Sequence, residues 1–424
     1  MKKRLIIQIA IVAFALALSY LFRYEIGLMT PPPIKVGVLH SLSGTMSFSE
    51  ASVINGTLLA IKELNQQGGV LGRHIEAVVR DGKSDWPTFG MEAEKLIAEE
   101  NVAVVFGGWT SASRKAIKPI FEKYNHLLFY PLQYEGLESS PNIIYTGATP
   151  NQQIIPAVKW AKDHIGMNFF LVGSDYLFPR AANEIIKDQT ALLRGKIVGE
   201  EYLPLGSLDV DGIIAKIVKA NPDVILNTIN GDSNIAFFKK LREAGVTSEK
   251  TPTISFSIAE EELKNIGAQQ LAGDYAVWNY FQSIDSESNK NFVRSYKETF
   301  GQDRVTDDPI EAGYFGVHLW ARAVRDALSI DPVLVRKALP DQSFAAPEGL
   351  VYIDADTQHT WKTVRIGQIQ SDGQFKIVWS SDKPIRPRPY PPYKTKAEWE
   401  EFLRQLTPAL ADQQWNGLWA NPSS

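Results

Sequence analysis

One stretch, Val102–Gly136, constrains the fold more than any other, because it alternates strand, polar turn, helix, strand and polar turn. Val102-Ala103-Val104-Val105-Phe106 is a β-branched apolar run of the kind buried on both faces of a parallel sheet. Gly107-Gly108 ends it, and Trp109-Thr110-Ser111-Ala112-Ser113 leads into a helix with Ile117, Ile120, Phe121 and Tyr124 at helical spacing. A second strand, Leu127-Leu128-Phe129-Tyr130, is closed by Pro131. Ligands of open parallel sheets bind just beyond the carboxyl ends of the strands. The turns Trp109–Ser113 and Tyr130–Gly136 both fall at that edge and are expected to form one wall of a pocket.

The same alternation runs along the chain and predicts an α/β fold with right-handed crossovers. It begins with a strand at Ile34–Leu39, a polar turn at Ser41–Glu50 and a helix at Asn55–Gln67. A strand at Ile75–Val79 follows, then a helix entered at Pro87. A second series starts at Phe169–Val172, with helices expected over Ala181–Leu193, Asp211–Lys219 and Asn234–Ala244. At 424 residues the chain exceeds one ordinary core, and two similar halves in tandem predict two lobes sharing a hinge. Lobe 1 is expected over 34–150 and 276–348, lobe 2 over 151–275 and 349–390, with a C-terminal tail over 391–424. Residues 1–33 hold an export segment and a Pro-rich linker: Lys2-Lys3-Arg4 precedes the apolar run Leu5–Phe22, read as a cleaved signal or a retained anchor. Either form puts the remainder in the periplasm, tethered to the inner membrane if residues 5–22 are kept.

The chemistry expected is binding, not catalysis. No Gly-x-Ser-x-Gly elbow, phosphate loop or His-Glu-x-x-His pair occurs, and there is no cysteine. The six histidines lie singly, without metal-ligand spacing, so neither metal nor cofactor is expected. A net charge of −4 with mixed signs argues against a nucleic-acid groove. Polar turns carrying aromatics recur at Gly173–Arg180 and Asn227–Ser233, so each lobe contributes two such turns to the predicted rim.

Several longer stretches carry a resemblance: HSLSGTMSFSE (His40–Glu50), DGKSDWPTF (Asp81–Phe89), FGGWTSASRK (Phe106–Lys115), FYPLQYEG (Phe129–Gly136), FLVGSDYLFPRAAN (Phe170–Asn183) and NTINGDSNIAFFK (Asn227–Lys239). In these the chain resembles the urea-binding receptors of ABC transporters, within the type I periplasmic binding proteins that include branched-chain amino-acid receptors and the short-amide sensor. The resemblance covers about Ile34 to Pro389. It implies two lobes closing on urea or a short amide for delivery to an ABC permease, with an amide sensor or a branched-chain amino-acid receptor as alternatives. By family position, Trp109, Ser111, Tyr130 and Leu132 from lobe 1 are expected at the ligand, with Asp175, Tyr176, Phe178 and Ile229 from lobe 2 and Asn230 and Asp232 beside them. Two departures stand out: relatives often carry cysteine where Gly108 stands, and the lipid-attachment cysteine is missing. Urea offers one carbonyl acceptor and four N–H donors, so its pocket should supply a donor or two and several acceptors inside aromatic walls. Ser111 and helix-end N–H groups are expected to serve the oxygen, and Asp175, Tyr130, Tyr176 and backbone carbonyls the nitrogens.

Overall fold

A computed structural model describes residues 11–19, 31–340 and 342–414. Of the export segment, only residues 11–19 are described; they are helical and exposed, and Lys2-Lys3-Arg4 lies outside the described residues. Among the described residues no helix is long and apolar enough to cross a membrane.

The apolar runs pair as five parallel strands: β1 (Ile34–His40), β2 (Ile75–Asp81), β3 (Val105–Gly107), β4 (Leu128–Tyr130) and β5 (Ile143–Tyr145), in the order β2-β1-β3-β4-β5. Register sets Val38 beside Val79 on one side and Phe106 on the other, and Phe129 beside both Phe106 and Ile144. Paired helices flank this sheet: Ser47–Gln66 with Asp308–Ala327, and Trp86–Ala98 with Ser111–Lys123. The first pair crosses so closely that a Cβ on Gly56 would lie 2.2 Å from the Ile310 carbonyl oxygen, which leaves room there for glycine alone.

Five further parallel strands follow: β6 (Asn168–Ser174), β7 (Lys196–Leu203), β8 (Val224–Thr228), β9 (Thr253–Ser255) and β10 (Tyr275–Trp278). Their order, β7-β6-β8-β9-β10, repeats that of the first sheet. A three-stranded antiparallel sheet of β11 (Ser343–Ala346), β12 (Gly349–Ile353) and β13 (Thr360–Trp361) packs Val351 and Ile353 into the first core. Strands β14 (Arg365–Ile369) and β15 (Phe375–Ser380) then extend the second sheet antiparallel beyond β10. The chain is thus an α/β fold of two lobes, each a mostly parallel sheet flanked by helices.

Local differences from the sequence reading have physical causes. The helix expected from Asn55 starts at Ser47, so the polar turn after β1 is shorter than Ser41–Glu50. Met46 is fully buried at that start and its N–H donates to the Ser84 hydroxyl (3.0 Å), a long-range anchor invisible to local propensity. Beyond the Pro-rich segment, residues Lys396–Gln414 form a helix whose Trp399 is fully buried in the second core.

The lobes meet where the chain crosses between sheets. Asp308, at the start of helix Asp308–Ala327, accepts the N–H groups of Asn279 and Tyr280 just past β10 (2.9 Å each). Glu260 accepts from the Gln282 N–H (2.7 Å), and Glu348 pairs with Lys362 (3.1 Å). Burial pushes the carboxyls of Glu260, Asp274 and Glu348 up to about 8, 7 and 7, well above ordinary carboxylates. Carboxyls raised in the folded state alone contribute stability that is lost progressively as pH rises from the ordinary carboxylate range to 7 and 8, and no further above that. Burial also pushes His318 and His359 down to about 4 and 3, so their contribution to stability is lost only as pH falls below the ordinary histidine value of 6.5. Between pH 6.5 and 8 the melting temperature is expected to fall as these carboxyls ionise, in scanning calorimetry at fixed ionic strength. A level or rising profile would contradict this account.

Candidate ligand-binding site

In both sheets strand order reverses at the first strand, between β1 and β3 and between β6 and β8, and crevices of open sheets lie at such points. Past β3, Gly108 takes φ +80°, a left-handed conformation that turns the chain so that Trp109 covers the strand end. Glycine at this position, where relatives were expected to carry cysteine, suits that backbone. Thr110 caps the next helix, its side chain accepting from the Ser113 N–H (3.0 Å), and Ser111 is the first helical residue. Past β4 the strap Pro131-Leu132-Gln133 runs alongside. Tyr176 and Phe178 enter from the end of β6, and Asn230 from the end of β8.

Together Trp109, Ser111, Leu132, Gln133, Tyr176, Phe178 and Asn230 enclose a small cavity, with about 10 Å³ of room for the centre of a water-sized sphere. A larger groove of about 620 Å³ lies along helix Glu287–Phe300, lined by Gln282, Asn289 and Lys297 among others, with no aromatic side chain in its lining.

Of the residues singled out from sequence, Trp109, Ser111, Leu132, Tyr176, Phe178 and Asn230 lie in this wall. Four do not. Tyr130 sits one layer behind, its hydroxyl donating to the Trp109 carbonyl. Asp175 turns to Arg180 on the adjoining helix (2.8 Å). Ile229 is fully buried in the second core, and Asp232 precedes helix Ser233–Glu243 without a side-chain cap bond. Ser111 is in place but differently engaged: its one hydroxyl proton goes to Glu135, and it accepts from Arg114 Nη1 (3.2 Å). The donors left at this helix end are first-turn N–H groups, which have no intrahelical acceptor.

Behind the wall lies a charge network that the sequence reading did not anticipate. Arg114 is fully buried, with Nη2 on Glu135 (2.8 Å) and Nε on Glu138 (2.9 Å), and its guanidinium lies 4.4 Å from the Tyr134 ring centroid. Lys115 also reaches Glu138, which accepts in addition from the Tyr145 hydroxyl (2.9 Å). Burial on its own raises the Glu138 carboxyl, but Lys115 and Arg114 outweigh it and hold it far below the usual carboxylate range. Tyr134, Tyr145 and His359 stack beside the network, with rings nearly parallel. Two cations meet two anions, so the wall in front carries no unbalanced charge from behind. Gln133, Glu135 and Glu138 all lie on the strap from β4; the available signal was two acids in an otherwise apolar and aromatic run, facing Arg114-Lys115 one turn after Ser111.

Two repeated lobes with a strand-end cavity between them define a binding protein of the type I periplasmic class. The chain belongs to the periplasmic binding protein domain family, which matches residues 34–396. It is similar to Leu/Ile/Val-binding protein homolog 6 of Brucella melitensis, 22% identical over 351 residues, 81% of this chain and 89% of that protein. A segment of 124 residues is 36% identical to a limonene hydroxylase of Geobacillus stearothermophilus, covering 29% of this chain and only 23% of that protein. Among solved structures, an R. palustris ABC-transporter solute-binding protein in complex with 4-hydroxybenzoate aligns with a TM-score of 0.76 at 24% identity, over 84% of this chain and 98% of that one.

Replacing Arg114 by methionine leaves Glu135 and Glu138 buried beside one remaining cation, Lys115. Loss of one partner from a buried ion pair costs about 3–5 kcal/mol. Guanidinium chloride unfolding of Arg114→Met is expected to show a loss of that size; a change under about 1 kcal/mol would mean the network is not held as described.

Proposed function

We propose that this protein is an exported receptor that captures urea or a similar short amide between its lobes and presents it to an ABC permease, without catalysing a reaction. The observation that carries this reading is a small cavity whose nearby cations, Arg114 and Arg180, are already paired with carboxylates. Room of about 10 Å³ for a sphere centre is the space of roughly one ordered water. A cavity of that size favours a planar molecule of four heavy atoms over an aromatic acid of more than twice that size.

Charge supports the same choice. An aromatic or amino acid brings a carboxylate, yet Arg114 is shared between Glu135 and Glu138 and Arg180 is taken by Asp175. An ammonium group meets the converse difficulty, because Glu135 is engaged by Arg114 and Ser111. A neutral, polar, planar ligand asks only for hydrogen bonds, which the Ser111 helix end, Gln133 and Asn230 can supply. The 4-hydroxybenzoate complex and the Leu/Ile/Val-binding relative share the fold at low identity. Lobe closure on such a ligand is a population shift that a permease can read. Export rests on the charged and apolar N-terminal residues up to Phe22, which place the receptor in the periplasm, tethered where the segment is retained.

Calorimetric titration against urea, acetamide, formamide, 4-hydroxybenzoate and the branched-chain amino acids decides the matter. Four heavy atoms at the ceiling for tiny ligands give about 6 kcal/mol, a Kd on the order of tens of micromolar. Urea or an amide is expected to bind in that range and to change Trp109 fluorescence, with no saturable heat from the acids. Saturable binding of an acid and none of an amide refutes the reading.

A further inference from the structure

Two side-chain amides face this cavity from opposite lobes, and both are locked by the same device. Gln133, on the strap from β4 in lobe 1, donates Nε2 to the Phe256 carbonyl at the end of β9 in lobe 2 (3.0 Å). Asn230, past β8 in lobe 2, donates Nδ2 to the Thr228 carbonyl (3.1 Å), while its own N–H is held by the Ser174 hydroxyl (3.0 Å). A carbonyl oxygen only accepts, so the NH2 edge of each amide must face it, and the oxygen edge is forced the other way. Orientation here follows from the chemistry of the neighbour.

The oxygen edges are what remain. Gln133 Oε1 is buried and has no hydrogen-bond partner among the described residues, although Gln133 lines the cavity and is only 6% exposed. A buried acceptor left unpaired is costly, and occupation of the cavity by a donor would relieve it. Asn230, 3% exposed, lines the opposite side with its Nδ2 likewise committed to backbone.

The geometry points to Gln133 Oε1 and Asn230 Oδ1 as a pair of acceptors, one from each lobe, that read the two amino groups of a single ligand. The inference rests on the proposed function and narrows it: the ligand carries N–H donors on both flanks of its carbonyl, as urea does, and a monoamide leaves one acceptor unserved. Gln133 also ties recognition to closure, because its Nε2 bond to Phe256 spans the lobes.

Urea, acetamide and acetone make the test, being planar, nearly isosteric and graded in amino groups from two to one to none. Fluorescence titration is to be run on the wild type, Gln133→Met, Asn230→Leu and the double variant, each checked by thermal melting. A neutral hydrogen bond corresponds to roughly tenfold in affinity. The wild type is expected to bind urea roughly tenfold tighter than acetamide and acetamide roughly tenfold tighter than acetone. Each single variant is expected to weaken urea roughly tenfold more than it weakens acetone, and the double variant to bring urea close to acetone.

Equal loss of urea and acetone in the variants would overturn the proposal, since it would show that the amides serve closure alone. A wild type indifferent between urea and acetamide overturns it without any variant, which keeps the test decisive if a substitution unfolds the chain. A wild type that binds urea and variants that bind it equally well remove the acceptor pair but leave the receptor reading standing. Failure of all three ligands on the wild type removes both.

Discussion

A guanidinium with no access to water must find its counter-charges inside the protein, and most of the candidate site follows from how Arg114 does so. Helix Ser111–Lys123 supplies the cation, and the strap after β4 supplies Glu135 and Glu138. Taking these ions out of water costs several kcal/mol each, so the pairing holds only with good geometry and saturated hydrogen bonds. Ser111 and Tyr145 provide the extra bonds, and the Tyr130 and Tyr134 rings lie near the guanidinium. The strap is thereby fixed against the helix, and with it Leu132 and Gln133 stand beside Ser111 in the cavity wall. Ionic groups that never reach the cavity thus decide which neutral groups do.

Topology sets where that wall can face. Because both sheets reverse strand order at their first strand, each lobe opens a crevice at one edge, and joining the lobes edge to edge makes one cleft from two. The joining contacts are backbone-directed. Asp308 holds the N–H groups of Asn279 and Tyr280, and Gln153 Nε2 reaches the carbonyls of Phe256 (3.2 Å) and Val277 (2.7 Å). Side chains that grip backbone fix the hinge without depending on the identity of their neighbours. The Gln133 bond to the same Phe256 carbonyl is different in kind, because its donor stands in the ligand cavity. Parting the lobes would break it while the hinge bonds have no need to change.

The architecture was legible because strand-turn-helix alternation is a local signal. β-branched runs ended by glycine or proline marked most parallel strands, and the family resemblance within the turns after them named Trp109, Leu132, Tyr176, Phe178 and Asn230, which the structure brings to one cavity. Side-chain direction was not legible. Asp175 looked like an acceptor for a ligand amine, but Arg180 lies five residues on along the adjoining helix and captures it locally. Ser111 was expected to donate to a ligand oxygen, yet its one proton is drawn to Glu135, 24 residues away in sequence. Nothing in the spacing of Arg114, Glu135 and Glu138 reveals that they meet, since pairing across a parallel sheet has no sequence period. The early helix start at Ser47 has the same origin, its anchor being Ser84 on another turn.

What the sequence did not disclose is also what gives the cavity its character. With Arg114, Lys115, Glu135 and Glu138 satisfied among themselves, the proposed reading leaves selection to hydrogen bonds, which act over about 3 Å and depend on angle. A carboxylate entering such a space would have to be stripped of water and would find Arg114 and Arg180 already paired, a cost of several kcal/mol. A neutral amide surrenders only hydrogen bonds that the wall can return. The aromatic side chains Trp109, Tyr176 and Phe178 contribute by keeping competing water out, so that each returned bond counts for more than it would at an exposed surface. On the proposed reading, charged solutes are excluded before a neutral one is recognised, and the residues responsible stand behind the cavity wall.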